Sequence, residues 1–289
     1  MRSSESLFFD VRGLRYHVRH WRGDPARRMV LLHGWMDVSA SFQFLVDALA
    51  ADWDAYAPDW RGYGLSAWSG ADSYWFPDYM GDLDALLDRI QPGEPVNLVG
   101  HSLGANVAGL YAGVRPARVA KFVNLEGFGM PATRPEQAAK RYARWMDELR
   151  VAPTLRTYPS FAALADRMQR NNSRLTRERA EFLARHWGNE NAQGVVLRSD
   201  PAHKLVNATL YRLDEAQACW KQVTAPVLWV DAAESETLKR IGLSPEEHAA
   251  RRSAFRDLHY VTVPDAGHML HHDQPERVAR LIERFLLPA

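Results

Sequence analysis

The chain has 289 residues, a net charge of +1, 46% hydrophobic residues and 25% charged residues. This length allows one large α/β domain, or such a domain with an insertion, and the composition is ordinary for a globular protein in water. A balanced charge gives no indication of a polyanionic partner such as nucleic acid.

Cysteine usage and hydropathy bear on the compartment. The single cysteine, Cys219, rules out an internal disulfide and fits a reducing environment. Residues 1–6 lack the apolar core of a signal peptide, and no stretch of about 18 apolar residues is available to span a bilayer. These observations predict a cytoplasmic protein that does not insert into a membrane.

Strand and helix patterns alternate over residues 7–125. Such alternation predicts a mostly parallel sheet with right-handed crossovers and helices on both faces. An antiparallel hairpin is expected at the sheet edge because two strand-like runs meet at Arg12-Gly13. The pattern predicts the hairpin at 7–11 and 14–21, further strands at 29–32, 54–58, 95–99 and 119–125, and helices at 40–50, 79–90 and 105–114.

A serine stands between the predicted strand at 95–99 and the helix at 105–114. The sequence Gly100-His101-Ser102-Leu103-Gly104 fits G-x-S-x-G in the strand–turn–helix setting that a nucleophile elbow requires. The strained turn exposes the hydroxyl, and the amides of the following helix point at any negative charge that forms there. Ser102 is therefore the predicted nucleophile.

The alternation stops after the strand at 119–125. Residues 130–215 show mostly helical patterns, at 135–150, 161–170 and 176–187, and we interpret them as a helical cap or lid inserted into a core of residues 1–129 and 216–289. This segment carries 15 basic and 10 acidic residues. We favour solvated arginines on helix faces over recognition of an acidic substrate.

The serine needs a base, and histidine accepts and returns a proton near pH 7. Strands are predicted at 226–230 and 259–263, and a final helix at 275–287. His268 follows the last strand, so it is expected at the same sheet edge as Ser102. His271 and His272 are interpreted as surface histidines near the final helix, and His101 as packing beneath the elbow.

Two carboxylates compete to orient the imidazole. Glu126 follows the strand at 119–125 among apolar residues, where a solvated charge is hard to explain. Its rival Glu234 lies in the loop after the strand at 226–230, in which Asp231 comes too early. Either acid preserves the chain order serine, acid, histidine, and we favour Glu126.

The tetrahedral oxyanion needs two amide donors, each worth roughly 3 kcal/mol. One is predicted to be the N–H of Leu103. The other is expected from the loop after the strand at 29–32, where Gly34 permits a turn toward the serine and Trp35 supplies the N–H. The side chains expected to line the substrate pocket are those of Met36, Phe128, Met130 and Met269.

Taken together, the motifs resemble the α/β-hydrolase superfamily with an inserted helical lid. They are His33-Gly34, Asp59-x-Arg61-Gly62-x-Gly64-x-Ser66, Gly100-x-Ser102-x-Gly104 and Gly267-His268, in this order. Within that superfamily, residues 33–37 and 197–201 resemble the serine hydrolase-like proteins. The chain departs from the usual pattern because no well-placed Asp follows the strand at 226–230. Some haloalkane dehalogenases carry a Glu after the strand that corresponds to 119–125, which supports Glu126.

The superfamily fold also hosts peptidases, C–C bond hydrolases, lactonases and non-catalytic receptors, and among these activities we predict carboxylic ester hydrolysis. Dehalogenases and epoxide hydrolases use Asp as nucleophile, so Ser102 argues against both activities. Ser-His-acid chemistry implies acyl transfer to water without a metal or organic cofactor, and we predict a small ester substrate with an apolar acyl group. An amide or small-peptide hydrolase is the alternative, followed by a non-catalytic ligand-binding member. The sequence leaves the oligomeric state open.

Overall fold

The computed structural model describes residues 1–287, which form one large sheet and a separate small hairpin. The strands are β1 (Glu5–Val11), β2 (Leu14–Trp21), β3 (Asp24–Leu32), β4 (Trp53–Pro58), β5 (Val96–His101), β6 (Val119–Leu125), β7 (Gly188–Asn191), β8 (Gly194–Leu197), β9 (Val227–Ala232) and β10 (Leu258–Val263). The large sheet has the order β1-β2-β4-β3-β5-β6-β9-β10. Only the β1–β2 and β2–β4 pairs are antiparallel. The predicted mostly parallel α/β sheet with an edge hairpin is confirmed.

Helices connect the parallel strands. They are α1 (Gln43–Ala48), α2 (Phe76–Ile90), α3 (Leu103–Val114), α4 (Ala138–Leu149), α5 (Phe161–Asn171), α6 (Arg177–Trp187), α7 (Leu213–Trp220), α8 (Thr237–Arg240), α9 (Pro245–Arg252), α10 (Leu270–Asp273) and α11 (Pro275–Leu286). The helix predicted at 40–50 is shorter, because a 3-10 turn takes Ser39–Phe42. Among the helices within residues 1–287, none combines the length and apolarity needed to cross a membrane.

The core consists of two apolar layers, one on each face of the sheet. Successive side chains of a strand point to opposite faces, so Leu98 of β5 joins one layer and its neighbour Val99 joins the other. Helices α2, α3 and α7 cover the first face, and α1 and α11 cover the second. Full burial of such a side chain is worth about 1.5–3 kcal/mol. Burial on both faces explains why the central strands read as continuous apolar runs.

The segment between β6 and β9 folds around an apolar cluster of its own. Leu164 of α5, Leu183 of α6 and Val195 of β8 are buried there together. The mostly helical pattern predicted for this segment misses the β7–β8 hairpin. The cause is β7, whose sequence Gly-Asn-Glu-Asn lacks the apolar alternation that indicates a strand.

A short stretch, the docking strap (residues 198–204), attaches this segment to the loop after β4. The N–H of Gly64 donates to the carbonyl oxygen of Arg198 at 2.8 Å, and the Tyr74 hydroxyl donates to Asp200 Oδ2 at 2.6 Å. The His203 ring stacks on Tyr74 with 3.8 Å between ring centroids. The strap thereby holds the segment over the carboxyl ends of the parallel strands.

Candidate active site

Ser102 occupies the sharp turn between β5 and α3, in a backbone conformation that L residues rarely adopt. Its φ is +51°. A Cβ on Gly100 would lie 2.5 Å from the backbone of Ala105, and one on Gly104 would lie 2.1 Å from the carbonyl oxygen of Leu32. The two glycines of the motif are thus required because backbone passes against them on both sides of the serine.

His268 lies beside Ser102, in the loop between β10 and α10. Its Nε2 is 3.1 Å from the hydroxyl oxygen of Ser102. Burial, with an additional contribution from the nearby Arg240, lowers the pKa of the imidazole to about 4. The ring is therefore neutral near pH 7, so Nε2 has a lone pair available to accept the serine proton when Nδ1 carries the hydrogen.

Glu126 is the first residue after β6 and contacts the other ring nitrogen of His268. Its Oε2 lies 3.1 Å from Nδ1, and the Ser235 hydroxyl donates to the same oxygen. The N–H of Ala232 donates to Oε1 at 2.7 Å. Burial raises the pKa of Glu126 to about 7, and the donors from Ser235 and Ala232 oppose that rise. Its φ of +58° turns the chain sharply here and places the buried carboxylate behind the imidazole.

The rival carboxylate, Glu234, lies apart from His268. Its side chain is half-exposed and pairs with Arg174, while its backbone N–H donates to the carbonyl oxygen of Ala266. Asp231 is still within β9, as expected, and accepts hydrogen bonds from the side chains of Trp229 and Tyr260. Of the three acids weighed from sequence, only Glu126 contacts the imidazole.

The loop after β3 brings backbone N–H groups to the serine. Trp60 N–H donates to His33 Nε2 at 2.9 Å, so His33 Nδ1 carries the proton and donates to the Gly34 carbonyl at 2.8 Å. Since the carbonyl and N–H of a trans peptide point in opposite directions, the Trp35 N–H points away from His33. Within residues 1–287, neither this N–H nor that of Leu103 has a hydrogen-bond acceptor.

Gly34 lies directly against the elbow. A Cβ built on it would be 3.3 Å from Ser102 Cβ and 3.0 Å from His101 Nδ1. A side chain there would make tight contacts with both residues, and glycine permits this close approach without them. The loop that carries Gly34 and Trp35 therefore packs against the turn that carries Ser102.

A cavity of about 510 Å³ opens above Ser102. Its walls are mostly aromatic and aliphatic, and they come from the loop after β4, from the end of β6 and from the segment between β6 and β9. Trp35, Phe128 and Met130 are among the lining residues, together with Tyr74, Trp75, Phe76, Tyr79, Leu205, Val206, Tyr211 and Ile241. The charged lining side chains are Glu126, Arg141 and Arg240.

Two residues predicted for the pocket do not line this cavity. Met36 has its sulfur 3.3 Å from the Ser199 hydroxyl, because the docking strap packs over it. Met269 leads into α10 and uses its carbonyl oxygen to accept from the N–H of His272 and Asp273. Adjacency to a site residue in sequence does not direct a side chain into the site when the backbone turns between them.

The interpretation of His271 and His272 as surface residues is wrong. Both are buried, because α10 folds beneath the elbow instead of extending into solvent. The His271 ring lies 4.5 Å from that of His101. His101 is itself buried as expected, and its Nε2 bonds the carbonyl oxygen of His268 at 2.8 Å. This bond holds the loop that carries the base.

Comparison with known proteins identifies the family. The profile described as "Alpha/beta hydrolase family" matches residues 29–281. The chain belongs to the alpha/beta hydrolase family. Similar alpha/beta hydrolases include a "Serine hydrolase-like protein" of Danio rerio, 27% identical over 93% of this chain and 84% of that protein. "Serine hydrolase-like protein 2" of Homo sapiens is 24% identical over 93% of this chain and 90% of its own length.

The fold of this alpha/beta hydrolase also matches solved structures. One described as "Thioesterase Domain From Curacin Biosynthetic Pathway" has a TM-score of 0.87 and 24% identity, covering 98% of this chain and 99% of that chain. At this identity the likeness establishes the shared fold alone. The resemblance drawn from the sequence motifs to alpha/beta hydrolases and to serine hydrolase-like proteins is confirmed.

Sequence reasoning about this alpha/beta hydrolase missed several cavity residues. Tyr74, Trp75 and Phe76 precede α2, where an aromatic run reads equally well as core. His203 lies two residues after Leu197–Pro201, a stretch that contributed to the family resemblance but to which the sequence analysis assigned no function. Ser235 stands one residue after the rejected acid Glu234, and a hydroxyl there carries no signal that separates it from an ordinary loop serine.

Proposed function

We propose that this alpha/beta hydrolase cleaves carboxylic esters through an acyl-enzyme intermediate on Ser102. The observation that carries the proposal is the continuous contact from Glu126 Oε2 to His268 Nδ1 and from His268 Nε2 to Ser102 Oγ, each 3.1 Å long. These are the roles of acid, base and nucleophile in a serine hydrolase triad. The serine hydrolase-like relatives support the same activity.

In the first half of the reaction, Ser102 Oγ attacks the ester carbonyl carbon. Its proton passes to His268 Nε2, and the carbonyl becomes a tetrahedral oxyanion. When the bond from the carbonyl carbon to the alkoxy oxygen breaks, the imidazolium returns the proton to the leaving alcohol. The acyl group then remains on Ser102.

Water completes the cycle by the same path. His268 takes a proton from water, the hydroxide attacks the acyl carbon, and collapse of the second tetrahedral state releases the acid. The proton returns to Ser102 Oγ. Glu126 holds the imidazole in the tautomer with its proton on Nδ1 and stabilises the cation that forms in both halves.

The oxyanion of both tetrahedral states is placed between the N–H groups of Leu103 and Trp35. Both N–H groups lack an acceptor in the described part of the chain, so they are free to bind the developing charge. Each such donor is worth roughly 3 kcal/mol in the transition state. Leu103 also begins α3, whose dipole adds to the stabilisation.

We assign residues 130–215 as a cap over a core of residues 1–129 and 216–289. In support, Met130, Arg141, Leu205 and Tyr211 contribute to the cavity wall above Ser102. The aromatic and aliphatic walls suit an apolar acyl group. A small ester with a hydrocarbon acyl chain is therefore the proposed substrate.

The peptide-hydrolase alternative is less well supported. An enzyme that trims peptides from the amino terminus needs a free carboxylate to bind the terminal ammonium group. Glu126 is the sole carboxylate among the cavity-lining residues of the described chain, and it already contacts His268, Ser235 and Ala232. The intact contacts of Ser102 and His268 likewise argue against a non-catalytic binding protein.

Labelling by a fluorophosphonate probe tests the proposal. The adduct is expected on the peptide that contains Ser102, and Ser102→Ala is expected to abolish both labelling and ester turnover. His268→Ala is expected to do the same with the fold intact by circular dichroism. His259→Ala, at an exposed histidine of β10, is the matched control and should label normally. Labelling of another residue, or turnover by Ser102→Ala at the wild-type rate, would overturn the assignment.

A further inference from the structure

Two arginine side chains without partners line the cavity above Ser102. Arg141 lies on α4, and Arg240 is the last residue of α8. Within residues 1–287, neither guanidinium takes part in an ion pair or a side-chain hydrogen bond. The adjacent cations behave differently: Arg144 pairs with Glu148 at 2.7 Å, and Lys239 pairs with Glu236 at 3.1 Å.

Nothing else in the cavity wall balances these charges. Glu126 is the one lining carboxylate among the described residues, and its oxygens are occupied by Ala232, Ser235 and His268. The remaining walls are largely aromatic and aliphatic, the Arg141 side chain is half-buried, and that of Arg240 is exposed. The cavity therefore presents net positive charge to whatever enters it.

Arg240 lines the cavity close enough to His268 for its charge to lower the pKa of that imidazole. Ser235, only five residues before Arg240, donates to the carboxylate oxygen that contacts His268. The leaving alcohol must lie within reach of His268 Nε2, because this nitrogen returns the proton to it. An anion on the alcohol part of the substrate would thus lie near Arg240, and Arg141 lines the same cavity.

The same anion would assist the base. Arg240 opposes protonation of His268 and lowers its pKa. A negative group bound to the guanidinium offsets this repulsion and favours the imidazolium that forms during attack. Guanidinium groups also bind carboxylates and phosphates through paired N–H donors, which fixes the orientation of the bound group.

We infer that the physiological substrate is an ester whose alcohol part carries a carboxylate or a phosphate, bound by Arg141 and Arg240 while the acyl chain contacts the aromatic walls. This inference rests on the proposed esterase function. Arg141 is an exception to the interpretation of the arginines in residues 130–215 as solvated helix-face charges, because it lines the cavity.

Matched esters with one acyl chain test the inference. The octanoyl esters of hydroxybutyl phosphate and of hydroxypentanoic acid carry the two candidate anions, and the octanoyl monoester of butanediol is the neutral reference. We expect kcat/KM to be at least about 10-fold higher for one of the two anionic esters, and the better of them identifies the anion. This preference should weaken as ionic strength rises from about 0.05 M to about 0.5 M.

Variants of the two arginines test whether the preference for anionic esters arises from the cavity. Arg141→Gln and Arg240→Gln should each reduce the ratio of anionic to neutral kcat/KM, and the double variant should bring it to about 1. Arg144→Gln and Lys239→Gln are the matched controls on the same two helices, and they should leave the ratio unchanged. The rate of fluorophosphonate labelling at Ser102 verifies that each variant retains a folded site.

Three results would overturn the inference. They are equal kcat/KM for all three esters, a preference that survives in the double variant, or a preference only for an anion on the acyl chain, as in a monoester of suberic acid. Each of these results would be obtained with an enzyme that is still labelled at Ser102. None of them would therefore contradict the proposed esterase function. Absence of labelling and of all ester turnover would instead refute the proposed function itself.

Discussion

At the scale of single residues, the candidate site depends on side chains held by several bonds each. Glu126 receives hydrogen bonds from a backbone amide and a hydroxyl in addition to its contact with His268. His268 contacts Ser102 and Glu126 through its ring, and its carbonyl oxygen is bonded by His101. Such multiple bonding limits the positions available to each group, which is what preorganised catalysis requires.

Substitution of the two candidate acids distinguishes them. Glu126→Gln keeps the side-chain shape but removes the charge that stabilises the imidazolium, so we expect kcat to fall by about 10³–10⁴-fold. Glu234→Gln removes only a half-exposed ion pair with Arg174 and should change kcat by less than about 2-fold. Steady-state kinetics with an octanoyl ester checks both. The opposite ranking of the two variants would assign the acid to Glu234.

The pH profile provides a second measurement on the same pair. Activity requires Glu126 ionised and His268 neutral, so kcat/KM should fall as pH drops through the higher pKa of the pair. Burial raises the pKa of Glu126 to about 7 and lowers that of His268 to about 4. Protonation of Glu126 is therefore expected to set the acid limb of the pH profile. In Glu126→Gln only His268 titrates, and the limb should move to lower pH.

That shift is measured on the residual activity of the variant with a neutral ester. The Glu234→Gln enzyme is the control and should keep the wild-type limb. An unchanged limb in Glu126→Gln would mean that another group sets it, and the link between Glu126 and His268 would then lack support.

At the scale of elements, the docking strap (residues 198–204) connects the segment above the cavity to the core. Asp200 accepts from the Tyr74 hydroxyl at 2.6 Å and from the N–H of Ala202 at 2.9 Å. The strap also reaches the candidate oxyanion loop, because the Trp35 indole donates to the carbonyl oxygen of His203 at 3.2 Å. Loss of a hydrogen bond in the docking strap is therefore expected to lower the free energy of unfolding and to disturb the loop that follows β3.

Removal of the Asp200 carboxylate should destabilise the protein. Asp200→Ala leaves the buried Tyr74 hydroxyl and the Ala202 N–H without their acceptor, at a cost of about 1–3 kcal/mol in the free energy of unfolding. Urea titration monitored by tryptophan fluorescence measures this change. Asp214→Ala, at an exposed acid of α7 that pairs with Arg212, is the control and should keep the wild-type midpoint. Equal midpoints for the two variants would show that the strap adds no stability.

At the scale of the whole molecule, burial differs strongly between the sheet and the segment above it. All six residues of β9 are buried, whereas none of the twelve residues of α4 is buried. Regions with few buried apolar contacts open locally at low free energy, while central strands open only with global unfolding. Helix α4 is thus expected to move while the strand ends that carry Ser102 and Glu126 stay in place.

Hydrogen exchange followed by mass spectrometry tests this division. Amides of α4 should exchange fastest among the helices longer than two turns, and amides of β5, β6 and β9 should exchange slowest. Helix α3 is the internal comparison, because it has the same length as α4 and packs against the sheet. Protection of α4 equal to that of α3 would contradict the expected mobility.

The sequence alone determined the fold class and singled out Ser102 and His268 as candidate nucleophile and base, because each depends on local spacing. Glycines two residues either side of Ser102, an apolar strand before it and a small-residue helix after it are local features that only one backbone turn satisfies. The position of His268 after the last strand also follows from chain order, since parallel strands end at one edge. For Glu126 and Glu234, chain order left both acids possible.

Only the tertiary structure decided which acid contacts the imidazole and which side chains line the cavity. The cavity draws on residues near 35, 74, 128, 141, 203 and 240, which are distant in sequence and meet through the packing of the β6–β9 segment on the sheet. Whether a Met, His or Arg side chain faces a cavity, the core or solvent depends on that packing. Met36 and His271 departed from expectation for this reason, because a sequence pattern records polarity and spacing but not the direction that a long-range contact imposes on a side chain.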